Sequence, residues 1–159
     1  SKKTIILEVC KWLLVLALCV FLYFMLLSNR ESNADFSTVQ EAVLSAADLT
    51  PMAEGDNQTI KRLYGLSASD FEGIMLYYPT TNMGAEELLL IKLKDVSQQE
   101  DVKSAIESRI ETQKKSFDGY GVDQYAMLEK AVIEVQGNYV LLVVAADPAP
   151  VRKAFLGAL

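Results

Sequence analysis

The chain has 159 residues, a formal net charge of −6 and no histidine, and 51% of its residues are hydrophobic. Past Leu27 there are 12 Lys and Arg residues against 20 Asp and Glu residues, which argues against nucleic acid as a partner because nucleic-acid binding needs a basic surface. Both cysteines, Cys10 and Cys19, lie in the N-terminal apolar segment, so the rest of the chain has no disulfide and no thiol chemistry. The lack of histidine also excludes a Ser-His-Asp triad and the common histidine-bearing zinc sites.

The N-terminus is dominated by an uncharged run of 16 residues, Trp12–Leu27. A membrane-spanning helix needs about 20 apolar residues, so we expect the helix to extend back to about Ile5. Glu8 and Lys11 are then i,i+3 neighbours that either pair or extend toward the lipid headgroups. Three lysines precede or begin this helix, which predicts a cytoplasmic N-terminus and an extracytoplasmic remainder. The predicted anchor residues are Trp12, Leu13, Leu14, Phe21, Tyr23, Phe24 and Leu27.

A cleaved signal peptide is the alternative interpretation of this run, with Ser32-Asn33-Ala34 as a candidate cleavage site. A lipoprotein signal is disfavoured because Leu18 precedes Cys19. A buried core helix is a third interpretation, although the polar segment that follows is typical of a membrane exit. We predict a cytoplasmic stub and transmembrane helix over residues 1–28, a tether over 29–35 and an extracytoplasmic domain over 36–159.

The first half of the domain is predicted from the spacing of its apolar residues and from its turn residues. Apolar residues recur at helical spacing from Phe36, and Thr50-Pro51 ends that pattern. Tyr77 and Tyr78 must lie on opposite faces of the sheet if they belong to one strand. In chain order we expect a helix over 37–49, a turn at 54–57, a short helix over 58–64, a turn over 67–72 and a strand pair over 73–79 and 87–94.

The second half is predicted to begin with a long helix capped by Ser97, since Glu100 completes a capping-box pattern. The turn Gln136-Gly137-Asn138 between two apolar runs indicates a hairpin. In chain order we expect this helix over 97–117, a helical turn or two over 123–128, strands over 131–135 and 139–145, and a helix over 148–156. The fold class is therefore α+β, with an antiparallel sheet of about four strands and helices packed on one face.

One basic residue and three tyrosines are the candidate binding residues. Arg109 either offers its guanidinium fork to a carboxylate or phosphate ligand, or it packs its stem along the sheet and pairs with Asp118 or Glu129; the second interpretation is favoured. Tyr120 and Tyr125 flank a glycine-bounded loop, where they form an aromatic patch for a partner or glycan or else cap the core. The other candidate is Tyr78.

No pattern indicates catalysis, a metal or a cofactor. The acids are scattered, no phosphate-binding loop is present, and no carboxylate pair is distinguished from the others. We therefore predict that the protein is not an enzyme and carries no cofactor.

Several segments of the chain are similar to a known family. They are RIETQKKSFDGYGVDQY at 109–125, LEKA at 128–131 and GNYV at 137–140, together with Leu63-Tyr64-Gly65, Tyr77-Tyr78 and the strand at 86–94. The chain resembles a bacterial domain-of-unknown-function family of small membrane-anchored extracytoplasmic proteins, mainly from Gram-positive anaerobes. Some of these relatives are encoded beside membrane-bound O-acyltransferases and their partner esterases, which implies a role in the acetylation of cell-envelope polysaccharides.

Two functions follow from these observations. The first is a non-catalytic accessory subunit, anchored in the bilayer, that binds a membrane-protein partner at the outer face of the cell membrane. The alternative is an extracytoplasmic ligand-binding or sensory domain for a small molecule or wall glycan, with a pocket near Arg109, Tyr120 and Tyr125.

Overall fold

The computed structural model describes residues 1–28 and 30–159, without the side chains of Leu27 and Ser28. The side chain of the predicted anchor residue Leu27 and the predicted tether residue Asn29 lie outside the described residues. The chain divides into two compact units, Ser1–Arg30 and Glu31–Leu159.

The first unit is a single helix, α1 (Lys2–Ser28). Its segment Lys2–Leu26 is long and apolar enough to be a membrane span or a signal sequence. Lys11 Nζ lies 2.9 Å from Glu8 Oε2, which confirms the predicted i,i+3 pair. The other six predicted anchor side chains are all exposed along this helix.

The second unit alternates helices and strands. Two short 3₁₀ turns, Ala68–Asp70 and Val96–Gln98, lie between its longer elements. The longer elements are α2 (Phe36–Ala46), β1 (Met52–Gly55), α3 (Asn57–Tyr64), β2 (Gly73–Pro79), β3 (Glu87–Lys92), α4 (Gln99–Phe117), α5 (Val122–Glu129), β4 (Val132–Gln136), β5 (Tyr139–Val144) and α6 (Ala149–Ala158).

The five strands form one antiparallel sheet in the order β1-β2-β3-β5-β4. The predicted hairpins β2–β3 and β4–β5 are confirmed. The α+β fold with an antiparallel sheet is confirmed, and the sheet has one strand more than the four that were named, because residues 54–57 were expected to form a turn. The four residues of β1 include Glu54 and Gly55, which are typical of turns, and β1 becomes a strand by pairing with the far end of β2, where Gly55 lies opposite Leu76.

Helices cover both faces of the sheet, so the prediction of one covered face was wrong. Every residue of β3 and β5 is buried. Alternation sends Leu89 and Leu142 to the face packed by α3, α4 and α5, and Leu88 and Leu141 to the face packed by α2 and α6. The sequence of a strand that is buried on both faces is a continuous apolar run, whereas a strand with one exposed face alternates apolar and polar residues. Tyr78 packs with the first face and Tyr77 with the second, as predicted.

The turns and caps follow from a few residues. Gly137 has a φ of 57° at the first position of the two-residue β4–β5 turn, where a primed hairpin turn requires a positive φ.

The capping box before α4 is formed by Asp95 and Gln98, not by Ser97 and Glu100 as predicted: Asp95 N–H donates to Gln98 Oε1 at 3.2 Å. The short 3₁₀ turn thus moves the helix start downstream of Ser97.

Residues 32–34, which were predicted to belong to a tether, are bonded to the domain. Ser32 N–H donates to Asn138 Oδ1 at 2.7 Å, and the Asn138 amide donates back to Ser32 O at 3.1 Å. The Tyr139 hydroxyl donates to Ala34 O at 2.8 Å. These bonds satisfy the buried amide of Asn138, which would be costly to leave unpaired.

Candidate functional site

A cleft of about 290 Å³ opens between α3, the loop that joins β2 to β3, and α4. It brings together three of the four predicted binding residues, Arg109, Tyr78 and Tyr120. The fourth, Tyr125, lies in a neighbouring hollow with Val122. The other residues that line the cleft are Arg62, Leu63, Pro79, Thr81, Asn82, Gly84, Gln113, Ser116 and Phe117.

Tyr64, Glu87 and Arg109 form a buried polar cluster beside the cleft. Of the three, Arg109 also lines the cleft. Arg109 donates from Nε to Glu87 Oε1 at 3.0 Å and from Nη2 to Oε2 at 2.8 Å, a bidentate pair. The Tyr64 hydroxyl donates to the same Oε1. The Glu87 side chain is 2% exposed and that of Arg109 is 11% exposed. The three groups come from α3, β3 and α4, so the cluster joins two helices to the sheet.

The partner of Arg109 corrects the prediction. Asp118 or Glu129 was expected to pair with it, but the carboxylate is Glu87, which is 22 residues away in the chain. The guanidinium is also bound at its third nitrogen, since Nη1 donates to Gln113 Oε1 at 3.2 Å. Because each of its three nitrogens donates to a residue of the same chain, the Arg109 guanidinium has a structural role. Arginine has five N–H groups, so two remain for the cleft.

Sequence reasoning missed Glu87 and Tyr64. The available signal was a single acid at the start of the otherwise apolar run ELLLI at 87–91. An acid in a strand that is buried on both faces needs a charged partner, because a lone buried carboxylate is costly. Arg109, one residue from the apolar stripe of α4, is such a partner.

The surroundings of the cluster shift two pKa values upward. Burial, together with the charge of Glu87, raises the pKa of Tyr64 well above its ordinary value of 10.0. Burial works against the charged form of Arg109, but the hydrogen bonds and charge of Glu87 outweigh it and raise the pKa. On the opposite face of the sheet, burial raises the pKa of Tyr139 to about 12, with a contribution from the charges of Glu72 and Asp35.

These shifts predict a loss of stability in alkaline solution. Above pH 10 the unfolded chain releases tyrosine protons that the folded chain keeps, so the free energy of unfolding falls as the pH rises. For Tyr139 the fall runs to about pH 12, and Tyr64, whose pKa is also raised, adds a fall of the same sign. Urea denaturation of the full chain at several pH values around 10 measures the slope. Tyr64→Phe should flatten it and the exposed control Tyr120→Phe should not; equal slopes for the two variants would contradict the assignment.

The most exposed apolar side chains of the domain gather near the cleft. Met83, Tyr120 and Val122 are 60, 61 and 77% exposed. Tyr120 lines the cleft together with residues of the β2–β3 loop, and Gln124 Nε2 donates to Met83 O at 3.1 Å, which holds that loop against α5. We call these three residues the apolar surface. Solvent-exposed apolar groups that cluster are typical of an interaction site.

Among the described residues, no group of three or more His, Cys, Asp or Glu side chains could hold a metal ion. The second buried cation, Lys92, is also paired internally, with Nζ 2.8 Å from Glu72 Oε1. The arrangement can therefore bind through the cleft and the apolar surface, and its buried charges serve the fold.

A known protein family covers most of this domain. The model of a domain of unknown function (DUF4358) matches residues 45–145. The chain belongs to the DUF4358 family. The matched region contains all five strands, the Tyr64–Glu87–Arg109 cluster, the cleft and the apolar surface, whereas α6 and nearly all of α2 lie outside it. No curated protein and no solved structure matches the chain.

Proposed function

We propose that this DUF4358 protein is a non-catalytic accessory subunit that acts at the outer face of the cell membrane. In this proposal α1 stays in the bilayer as a single-pass anchor with its N-terminus in the cytoplasm, and the domain binds the extracytoplasmic part of a membrane protein. The observation that carries the proposal is the apolar surface formed by Met83, Tyr120 and Val122.

The charges of the domain support a binding role over a catalytic one. Glu87 and Arg109 form a buried ion pair at the cleft. Both carboxylate oxygens of Glu87 accept hydrogen bonds from the domain itself, so Glu87 is poorly placed to act as a general acid or base on a ligand. The apolar surface, in contrast, is presented by the β2–β3 loop, the loop between α4 and α5 and the first residue of α5, and more than half of each of its three side chains is exposed.

The orientation of the anchor rests on its charges. Lys2, Lys3 and Lys11 lie at one end of α1, and Arg30 follows the helix beside Glu31. The positive-inside bias then favours a cytoplasmic N-terminus. A domain held at the outer face would meet the extracytoplasmic parts of membrane proteins, so the partner that we propose is a membrane protein. The family resemblance suggests an O-acyltransferase system that modifies cell-envelope polysaccharide.

Co-purification of the full chain from its native membranes in a mild detergent tests the proposal. We expect one membrane protein to be recovered in a fixed ratio with the wild type. Burial of a valine or methionine side chain contributes about 1.5–3 kcal/mol, so Met83→Ser combined with Val122→Ser should lower recovery by about tenfold or more.

The matched control is Val96→Ser, which changes an exposed apolar residue outside the apolar surface and should leave recovery unchanged. Recovery of the wild type as a monomer without a partner would contradict the proposal, as would equal loss in both variants.

A second candidate function is favoured by the cleft itself. Its polar lining beside Tyr78 and Tyr120 suits recognition of a small molecule or a wall glycan by an extracytoplasmic sensory domain.

A further inference from the structure

The cleft is a locally positive site on an acidic domain. The ionised residues that line it are two arginines, Arg62 and Arg109, and no carboxylate lines it. Glu87 neutralises Arg109, whereas Arg62 forms no ion pair with any residue that the structure describes. Acids exceed bases by eight past Leu27, so the positive charge of the cleft is local. An uncompensated cation at a concave site favours an anionic ligand.

The rest of the lining offers neutral hydrogen-bonding groups and aromatic surface. The neutral polar side chains are Thr81, Asn82, Gln113 and Ser116. Gln113 Oε1 already accepts from Arg109 and Ser116 Oγ already donates to Thr112 O. Each of these amide and hydroxyl groups still has donor or acceptor capacity left for the hydroxyls of a sugar. Tyr120 presents a ring that is apolar on its face and polar at its tip. The volume of about 290 Å³ lies near the lower end of ligand pockets, which suits one small ring.

Arg62 has an alternative explanation that the structure allows to be separated. It lies in the last turn of α3, where a cation interacts favourably with the helix dipole. Lys61 lies in the same turn and is exposed, as Arg62 is, but it does not line the cleft. A role in helix stability therefore predicts similar behaviour for the two residues, and a role in ligand binding predicts a difference.

We infer that the cleft binds a sugar residue that carries a carboxylate or phosphate group, with Arg62 at the oxyanion and the polar side chains at the ring hydroxyls. The inference rests on the second candidate function and is independent of the membrane partner. The residues changed to test that partner, Met83 and Val122, do not line the cleft, so the failure of one proposal leaves the other standing.

The test is a titration of the full chain in a detergent without a sugar headgroup, with ¹⁵N in its eight glycines. Gly84 lines the cleft, and Gly157 in α6 serves as the internal reference. Glucuronate, glucose 6-phosphate, glucose and inorganic phosphate are the probes. We expect glucuronate or glucose 6-phosphate to shift the Gly84 signal and leave Gly157 in place, with weaker binding as the salt concentration rises. The comparison of these two probes identifies the oxyanion.

The variants give the second arm. Arg62→Gln should weaken binding by about threefold to fivefold, since an exposed charge pair contributes up to about 1 kcal/mol. Lys61→Gln should change it less than about twofold. The absence of a Gly84 shift with every probe would overturn the inference. Equal weakening by both variants, or binding of inorganic phosphate or glucose as strong as that of the anionic sugars, would overturn it as well.

Discussion

Replacement of Glu87 by alanine is expected to lower the free energy of unfolding by about 3–5 kcal/mol. The change leaves the guanidinium of Arg109, whose side chain is 89% buried, without its counter-ion, and it removes the acceptor of the Tyr64 hydroxyl. Removal of one partner of a buried pair is costly because the remaining charge stays desolvated. Urea denaturation of the full chain in detergent, followed by circular dichroism, measures the loss.

Two further variants make this expectation specific. Glu107→Ala changes an exposed acid of α4 and should alter the stability by less than about 0.5 kcal/mol. The triple variant Tyr64→Phe, Glu87→Met and Arg109→Met replaces the whole cluster by apolar groups, which should recover most of the lost stability. A loss of less than about 1 kcal/mol in Glu87→Ala would mean that water reaches Arg109 and takes the place of the carboxylate.

Replacement of Phe155 by alanine is expected to cost about 3–5 kcal/mol. The ring of Phe155 is fully buried on the second face of the sheet, where it packs edge-on against Tyr139 with 6.3 Å between the ring centroids. Its loss opens a cavity between α6 and β5, and the lost contacts with the ring add to the transfer cost.

The neighbouring residue in α6 is the control for this prediction. Leu156 is 36% exposed, so Leu156→Ala should cost less than about 1 kcal/mol under the same urea denaturation. A small loss in both variants would show that α6 does not cover the second face. This result matters for the family, because α6 lies outside residues 45–145 and the matched region by itself would leave that face of β3 and β5 uncovered.

Much of the local structure could be predicted because it depends on neighbouring residues. The strand Gly73–Pro79 was predicted with its observed ends, and the helix at 58–64 differs from α3 by one residue. Period-two alternation, helical spacing and turn glycines act over a few residues, so they can be read directly. The two hairpins follow for the same reason, since each joins consecutive strands.

The candidate site was predictable only in part. Arg109, Tyr78 and Tyr120 were selected by residue type and position, and the structure brings them to one cleft. Tyr125 was placed with them because it follows Tyr120 closely in the chain, but α5 carries it to the neighbouring hollow. Arg62 was not selected, because an arginine on a short polar helix has the pattern of any solvated charge until folding brings the β2–β3 loop to the same cleft.

The sequence by itself determined the apolar N-terminal helix, the α+β class, the positions of most helices and strands, and the lack of histidine chemistry, since each depends on composition or short-range pattern. Only the tertiary structure decided that Glu87 and Tyr64 hold Arg109, that Met52–Gly55 is a fifth strand and that helices cover both faces of the sheet. The physical reason is the same in each case. Charge pairing, strand addition and burial of a second face are contacts between segments far apart in the chain, and they form only when packing of the whole domain sets the register.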